Sequence, residues 1–93
     1  MRNAKILSFM EHDEEKTLSG LRLDVWTVIR RSAEWGRTCD EIERMLVRSH
    51  QSVSPRIWEL IHQQVIVFSG KYRKTVSGCR ARVYVLPKYA KSA

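Results

Sequence analysis

Between Thr17 and Gly36 the apolar residues fall on a helical period. Leu18, Leu21, Val25, Val28 and Ile29 are spaced by three, four, three and one, which gathers them on one face of a helix. Thr17 or Ser19 can cap its start and Gly36 stops it after Trp35, so a first helix is expected near 19–35, with Arg22, Arg30 and Arg31 on its polar side. Thr38-Cys39-Asp40-Glu41 then forms a capping box: a Thr hydroxyl for the amide three residues on, and Glu41 reaching back. Asp40 and Glu41 also suit the positive end of a helix. The second helix is predicted over 38–47 with Ile42, Met45 and Leu46 facing inward. Only Arg48 and Ser49 separate it from a third stripe, Val53, Ile57, Leu60 and Ile61, which runs to about Gln64. Pro55 limits where that helix begins. Proline lacks an N–H and crowds the preceding turn, so the start must lie close to His50–Ser52.

After Gln64 the period changes to that of a strand. Val65-Ile66-Val67-Phe68 is β-branched and aromatic and is ended by Ser69-Gly70; Arg80 to Leu86 is a second such run, closed by Pro87. Strands are expected near 65–69 and 80–86, joined by the Gly-bounded, basic loop GKYRKTVSG. No β-pattern separates the first two helices, so a strand there is expected to be short or missing. The fold class is therefore mainly α with a small antiparallel β-hairpin. Residues 1–16 fit no amphipathic template and are expected to be a flexible arm, with residues 17–89 as the domain and 90–93 as a tail.

Length confines the chain to one domain: 93 residues leave no room for two cores. No wholly apolar run exceeds four residues, as in Val65 to Phe68, far short of the roughly 18 residues a spanning helix needs. The N-terminus lacks the apolar core of a secretory leader, so a cytoplasmic chain without membrane contact is expected. Charge is more informative. The chain carries +7, but residues 1–43 hold seven basic and nine acidic residues, whereas residues 44–93 hold ten basic residues and a single acid, Glu59. Eleven of the cations are Arg, the side chain that pairs bidentately with phosphate and guanine. A half-chain this basic points to a polyanionic partner.

Catalytic chemistry finds little support. Cys39 and Cys79 stand forty residues apart with no CxxC, and neither His50 nor His62 has finger-like spacing to a cysteine pair. Reduced thiols and no metal or cofactor are the expectation. There is no Gly-rich phosphate loop and no nucleophile–base spacing, so the chain is not expected to be an enzyme.

The segments GRTCDEIERML, HQSVSPRIWELIHQQVIVFSG and KYRKTVSGCRARVYVL, from Gly36 to Leu86, resemble the winged helix-turn-helix domains of small phage-encoded and bacterial DNA-binding proteins. Val47 and Gln64 stand where that family commonly has glycine, and Arg48 where it has an apolar residue. The resemblance implies a three-helix winged helix-turn-helix and a double-stranded DNA partner, in the host cytoplasm if the protein is phage-encoded. It implies that the third helix enters the major groove and that its first residues read base edges. Gln51 then suits adenine and Arg56 guanine, Ser52 and Ser54 are less selective, and His50 serves base or phosphate. The wing would bring Lys71, Arg73 and Lys74 to the backbone or minor groove, with Arg80 and Arg82 extending the positive face and Tyr72 available to stack. Thr38 could meet phosphate through its amide, or act only as a cap. A weak or DNA-induced homodimer is expected through the N-terminal region, where Leu7, Phe9, Leu18 and Trp26 offer apolar surface. Trp58, one position off the third stripe, leaves open a second reading in which the domain binds a protein partner.

Overall fold

The computed structural model describes residues 18–90; the arm expected at 1–16 and the last residues of the tail lie outside them. Three helices, α1 (Gly20–Arg31), α2 (Cys39–Leu46) and α3 (His50–His62), precede an antiparallel pair, β1 (Val67–Lys74) and β2 (Arg80–Val85), in a small α+β fold. No helix among the described residues is long and apolar enough to cross a membrane.

The first helix stops earlier than its stripe predicts. Ser32 turns its hydroxyl back onto the Ile29 carbonyl at 2.6 Å, Ala33 takes a left-handed φ of 53°, and the chain continues to Trp35 as a single 3-10 turn. A serine bonding its own helix backbone competes with helix propagation. Gly36 then has φ 75°, and a Cβ there would lie 2.4 Å from Val83 Cγ1 and 2.8 Å from the Tyr84 carbonyl oxygen. Only glycine lets the chain pass so close to β2. What it gains is an isolated antiparallel bridge: Arg37 and Tyr84 exchange both backbone hydrogen bonds, at 3.0 and 2.8 Å. The strand expected to be short or missing between the first two helices is this one bridge.

At α2 the capping box is complete, with Thr38 Oγ1 accepting from the Glu41 amide and Glu41 Oε1 accepting from the Thr38 amide. Ile42 is fully buried and Leu46 packs against the core, but Met45 is exposed. The inward stripe is Cys39, Ile42 and Leu46, and Met45 falls past its edge. Val47 ends the helix at φ 54°, with its own amide and that of Arg48 both bonded to the Glu43 carbonyl. This is a left-handed cap made by a β-branched residue that is 87% exposed. Gln64 does the same after α3, at φ 63°, where the Val65 amide returns to the Leu60 carbonyl. Both positions thus take a left-handed conformation that favours glycine, without a glycine.

The core lies between the three helices and the base of the hairpin: Val25, Trp26, Ile29, Ile42, Val53, Ile57, Leu60, Ile66 and Leu86. Leu18 and Trp26 are buried there. They are therefore not apolar surface for a dimer, and the rest of the expected dimer patch, Leu7 and Phe9, lies outside the described residues. The strand expected at 65–69 starts at Val67, because Val65 and Ile66 are buried in the link from α3, and it runs on to Lys74. Ser69-Gly70 does not end it. The register moves from Phe68↔Tyr84 to Tyr72↔Arg82, so Ser69, Gly70 and Lys71 together face Val83. This is an enlarged bulge with Gly70 at φ 89°. The loop contracts to a turn in which the Thr75 amide bonds the Cys79 carbonyl and the Gly78 amide bonds that of Thr75.

Candidate nucleic-acid interface

Ser49 caps α3 by accepting from the Ser52 amide, which leaves the His50 and Gln51 amides as the positive end of the helix. Val53, Ile57 and Leu60 anchor one face. At 3.6 residues per turn the opposite face then carries Gln51, Trp58 and His62, all exposed. His50 and Ser54 flank that face on the side of the hairpin. Trp58 is 62% exposed and meets the His62 ring edge-on at 5.7 Å.

Arg56 lies on the other flank. Its Nη2 donates to Glu59 Oε2 at 2.8 Å, and Glu59 Oε1 is 3.1 Å from Nε of Arg22 on α1. The expected guanine reader is thus set apart from Gln51 and Ser54, facing α1. Ser52 is likewise occupied with Ser49. Thr38 is buried and its amide is held by Glu41, so that amide is not free for a phosphate. Its role is the cap.

The hairpin separates its basic residues by face, because side chains alternate along a strand. Arg73 points inward: Nη1 donates to both Glu41 oxygens at 2.7 and 2.8 Å, Nη2 donates to the Trp35 carbonyl at 2.7 Å, and the guanidinium lies 4.0 Å from the Trp35 ring centroid. It is spent within the fold and is not free to reach a polyanion. On the other face Phe68 and Tyr72 form an edge-to-face pair at 5.3 Å. Arg80 stacks over Tyr72 at 4.5 Å and Arg82 over Phe68 at 5.3 Å. Each guanidinium sits over the face of an aromatic ring at cation–π distance, on an exposed side chain. Lys74 pairs with Arg80 on this same face, and Lys71 projects from the bulge; both are exposed and carry no ion pair among the described residues. Arg48, in the turn between α2 and α3, is also exposed and unpaired among them.

Between α3 and this face runs a groove of about 380 Å³, lined by His50, Ile57, Trp58, Phe68, Arg82 and Tyr84 among others. Burial pushes the Tyr84 phenol up, partly offset by the Arg82 charge. No family model, curated protein or solved structure matches this chain. The site's meaning rests on its own chemistry.

One constellation is absent from the sequence reading. Glu43 Oε2 lies 2.6 Å from His50 Nδ1 and 3.0 Å from Cys39 Sγ, and the sulfur is 3.7 Å from the ring nitrogen. Burial, then the hydrogen bond to Glu43 and the negative charges of Glu43 and Asp40, push the Cys39 thiol up to about 12. The signal was legible in part. Cys39 and Glu43 are four apart on one helix, but only the fold of the Val47–Ser49 turn shows that His50 returns to them.

Proposed function

We propose that this protein is a winged helix-turn-helix that binds duplex DNA, with α3 as the recognition helix and the hairpin as the wing. One observation carries the reading. Arg82, over the ring of Phe68, shares a groove with His50 and Ser54 at the start of α3, and Arg80, over the ring of Tyr72, lies on the same strand face. An arginine held over a ring face is restricted in its freedom while its N–H donors stay available to phosphate oxygens. The chain from His62 to Ala93 contains no acidic residue. Gln51 and Ser54 read base edges in this account, and the His50 and Gln51 amides meet phosphate. Arg80, Arg82, Lys71 and Lys74 track the backbone beside them. Arg56, Arg73 and Thr38 support the fold.

Salt-titrated binding to mixed-sequence duplex DNA tests this. Affinity falls linearly with salt on logarithmic axes, because each neutralised phosphate releases counterions. Gln51→Ala changes the preferred sequence more than the slope; Lys71→Ala with Lys74→Ala changes the slope by about two units and leaves preference intact.

A second reading, a protein-interaction module, is favoured by the exposed Trp58 and the apolar walls of the groove. It predicts binding that depends on Trp58 and barely on salt, and no affinity for duplex DNA above that of any basic protein.

A further inference from the structure

We propose that Cys39 Sγ, Glu43 Oε2 and His50 Nδ1 form a binding site for a zinc-like divalent cation that ties α2 to the first residue of α3. Thiolate, imidazole and carboxylate are the three donor types that zinc takes, and three protein ligands with an open fourth position is a recognised zinc arrangement. All three donor atoms lie within 4.8 Å of one another. Tetrahedral bonds of about 2.0–2.3 Å hold neighbouring donors roughly 3.3–3.6 Å apart. The sulfur-to-imidazole gap of 3.7 Å already fits. The carboxylate oxygen, at 2.6 and 3.0 Å from its two partners, needs to withdraw by roughly 0.5–0.7 Å to admit the ion. That is a small rotation of a glutamate side chain.

Glu43 is also unlike the other half-buried carboxylates of the domain. Asp40 meets Arg44, Glu41 meets Arg73, and Glu59 meets Arg22 and Arg56. Glu43, only 18% exposed, meets a thiol and an imidazole instead. A divalent cation on one thiolate, one carboxylate and one neutral imidazole makes a neutral cluster, which answers that charge without an arginine. The ion has a path in. A cleft of about 280 Å³ opens over the three residues, bordered by Thr75, Ser77 and Cys79 of the hairpin turn, and solvent there completes the coordination. Cys79 is exposed and is not one of the three donors.

Because His50 is the first residue of α3, the ion would clamp the recognition helix to α2 across the strained Val47 cap. Ligation through Nδ1 leaves Nε2–H facing solvent as a fixed donor. The site itself does not depend on DNA binding, and its test uses no DNA.

Untagged, reduced full-length protein is titrated with Co²⁺ and then Zn²⁺. The expected result is one equivalent of Co²⁺ with thiolate-to-cobalt charge-transfer absorption and the visible bands of four-coordinate cobalt, all abolished by Zn²⁺. Cys39→Ser removes the charge-transfer band, while Glu43→Gln and His50→Ala weaken binding by more than about tenfold. Cys79→Ser binds as the parent does. Circular dichroism checks each variant. His50 is 71% exposed, so its variant carries the test even if Cys39→Ser does not fold. Absence of a sulfur band, its survival in Cys39→Ser, or unchanged affinity in His50→Ala overturns the proposal.

Discussion

Arg73 and Glu41 stand 32 residues apart in sequence, yet one guanidinium nitrogen donates to both carboxylate oxygens, at 2.7 and 2.8 Å. The same carboxylate takes the Thr38 amide that begins α2. The same guanidinium stacks on Trp35 and bonds its carbonyl. One ion pair therefore joins the hairpin, the start of α2 and the 3-10 turn, and converts what reads as a wing cation into a structural rivet.

Arg73→Ala is accordingly expected to destabilise the fold by about 1–3 kcal/mol, since it leaves a largely buried carboxylate with only the longer Arg37 contact, at 3.9 Å. Urea denaturation measures this. Under conditions where the variant stays folded, its DNA-binding salt slope should match that of the parent, whereas Lys74→Ala lowers the slope by about one unit. A lowered slope for Arg73→Ala would show that its guanidinium leaves Glu41 for phosphate.

Val47 and Gln64 hold left-handed conformations at φ 54° and 63°. Val47, β-branched and exposed, has the larger strain and no packing to lose. Val47→Gly should stabilise the protein by about 1 kcal/mol, and Gln64→Gly by less, seen as a higher urea midpoint with unchanged slope. A destabilised Val47→Gly would mean the turn takes another conformation.

Gly36→Ala should have the opposite sign and be severe. Its methyl would meet Val83 Cγ1 at 2.4 Å and the Tyr84 carbonyl at 2.8 Å, breaking the Arg37–Tyr84 bridge. A loss of more than about 3 kcal/mol is expected, read from thermal or urea unfolding. A loss below about 1 kcal/mol would place β2 further from Gly36 than this packing allows.

The thiols should differ in reactivity. The thiolate is the attacking species, and Cys39, pushed up to about 12, holds very little of it at neutral or mildly alkaline pH. Iodoacetamide at pH 8 should therefore label the exposed Cys79 first, with Cys39 following only on unfolding. Peptide mapping at successive times decides between them.

The sequence carried the helices well, because their stripes and the Thr38–Glu41 capping box are local. It missed where β1 ends. Ser69-Gly70 reads as a stop, but the glycine serves a bulge that lets the strand continue, and only the partner strand reveals that. Met45 was placed inward by spacing alone, although α2 is covered on one side only. Arg56 and Arg73 read as free cations because their partners, Glu59 with Arg22 and Glu41 with Trp35, are set by packing. Arg80 and Arg82 were legible as a shared strand face; their seats on Tyr72 and Phe68 required the shifted register.

The most direct measurement is the salt dependence of duplex DNA binding for the parent chain and for the Arg80→Ala, Arg82→Ala double variant. Both side chains are exposed, so the fold should survive, as circular dichroism can verify. The parent should bind with a steep logarithmic slope, and the double variant should bind more weakly with the slope reduced by about two units. Identical slopes and affinities for the two proteins, or no duplex binding by the parent even at low salt, would contradict the account.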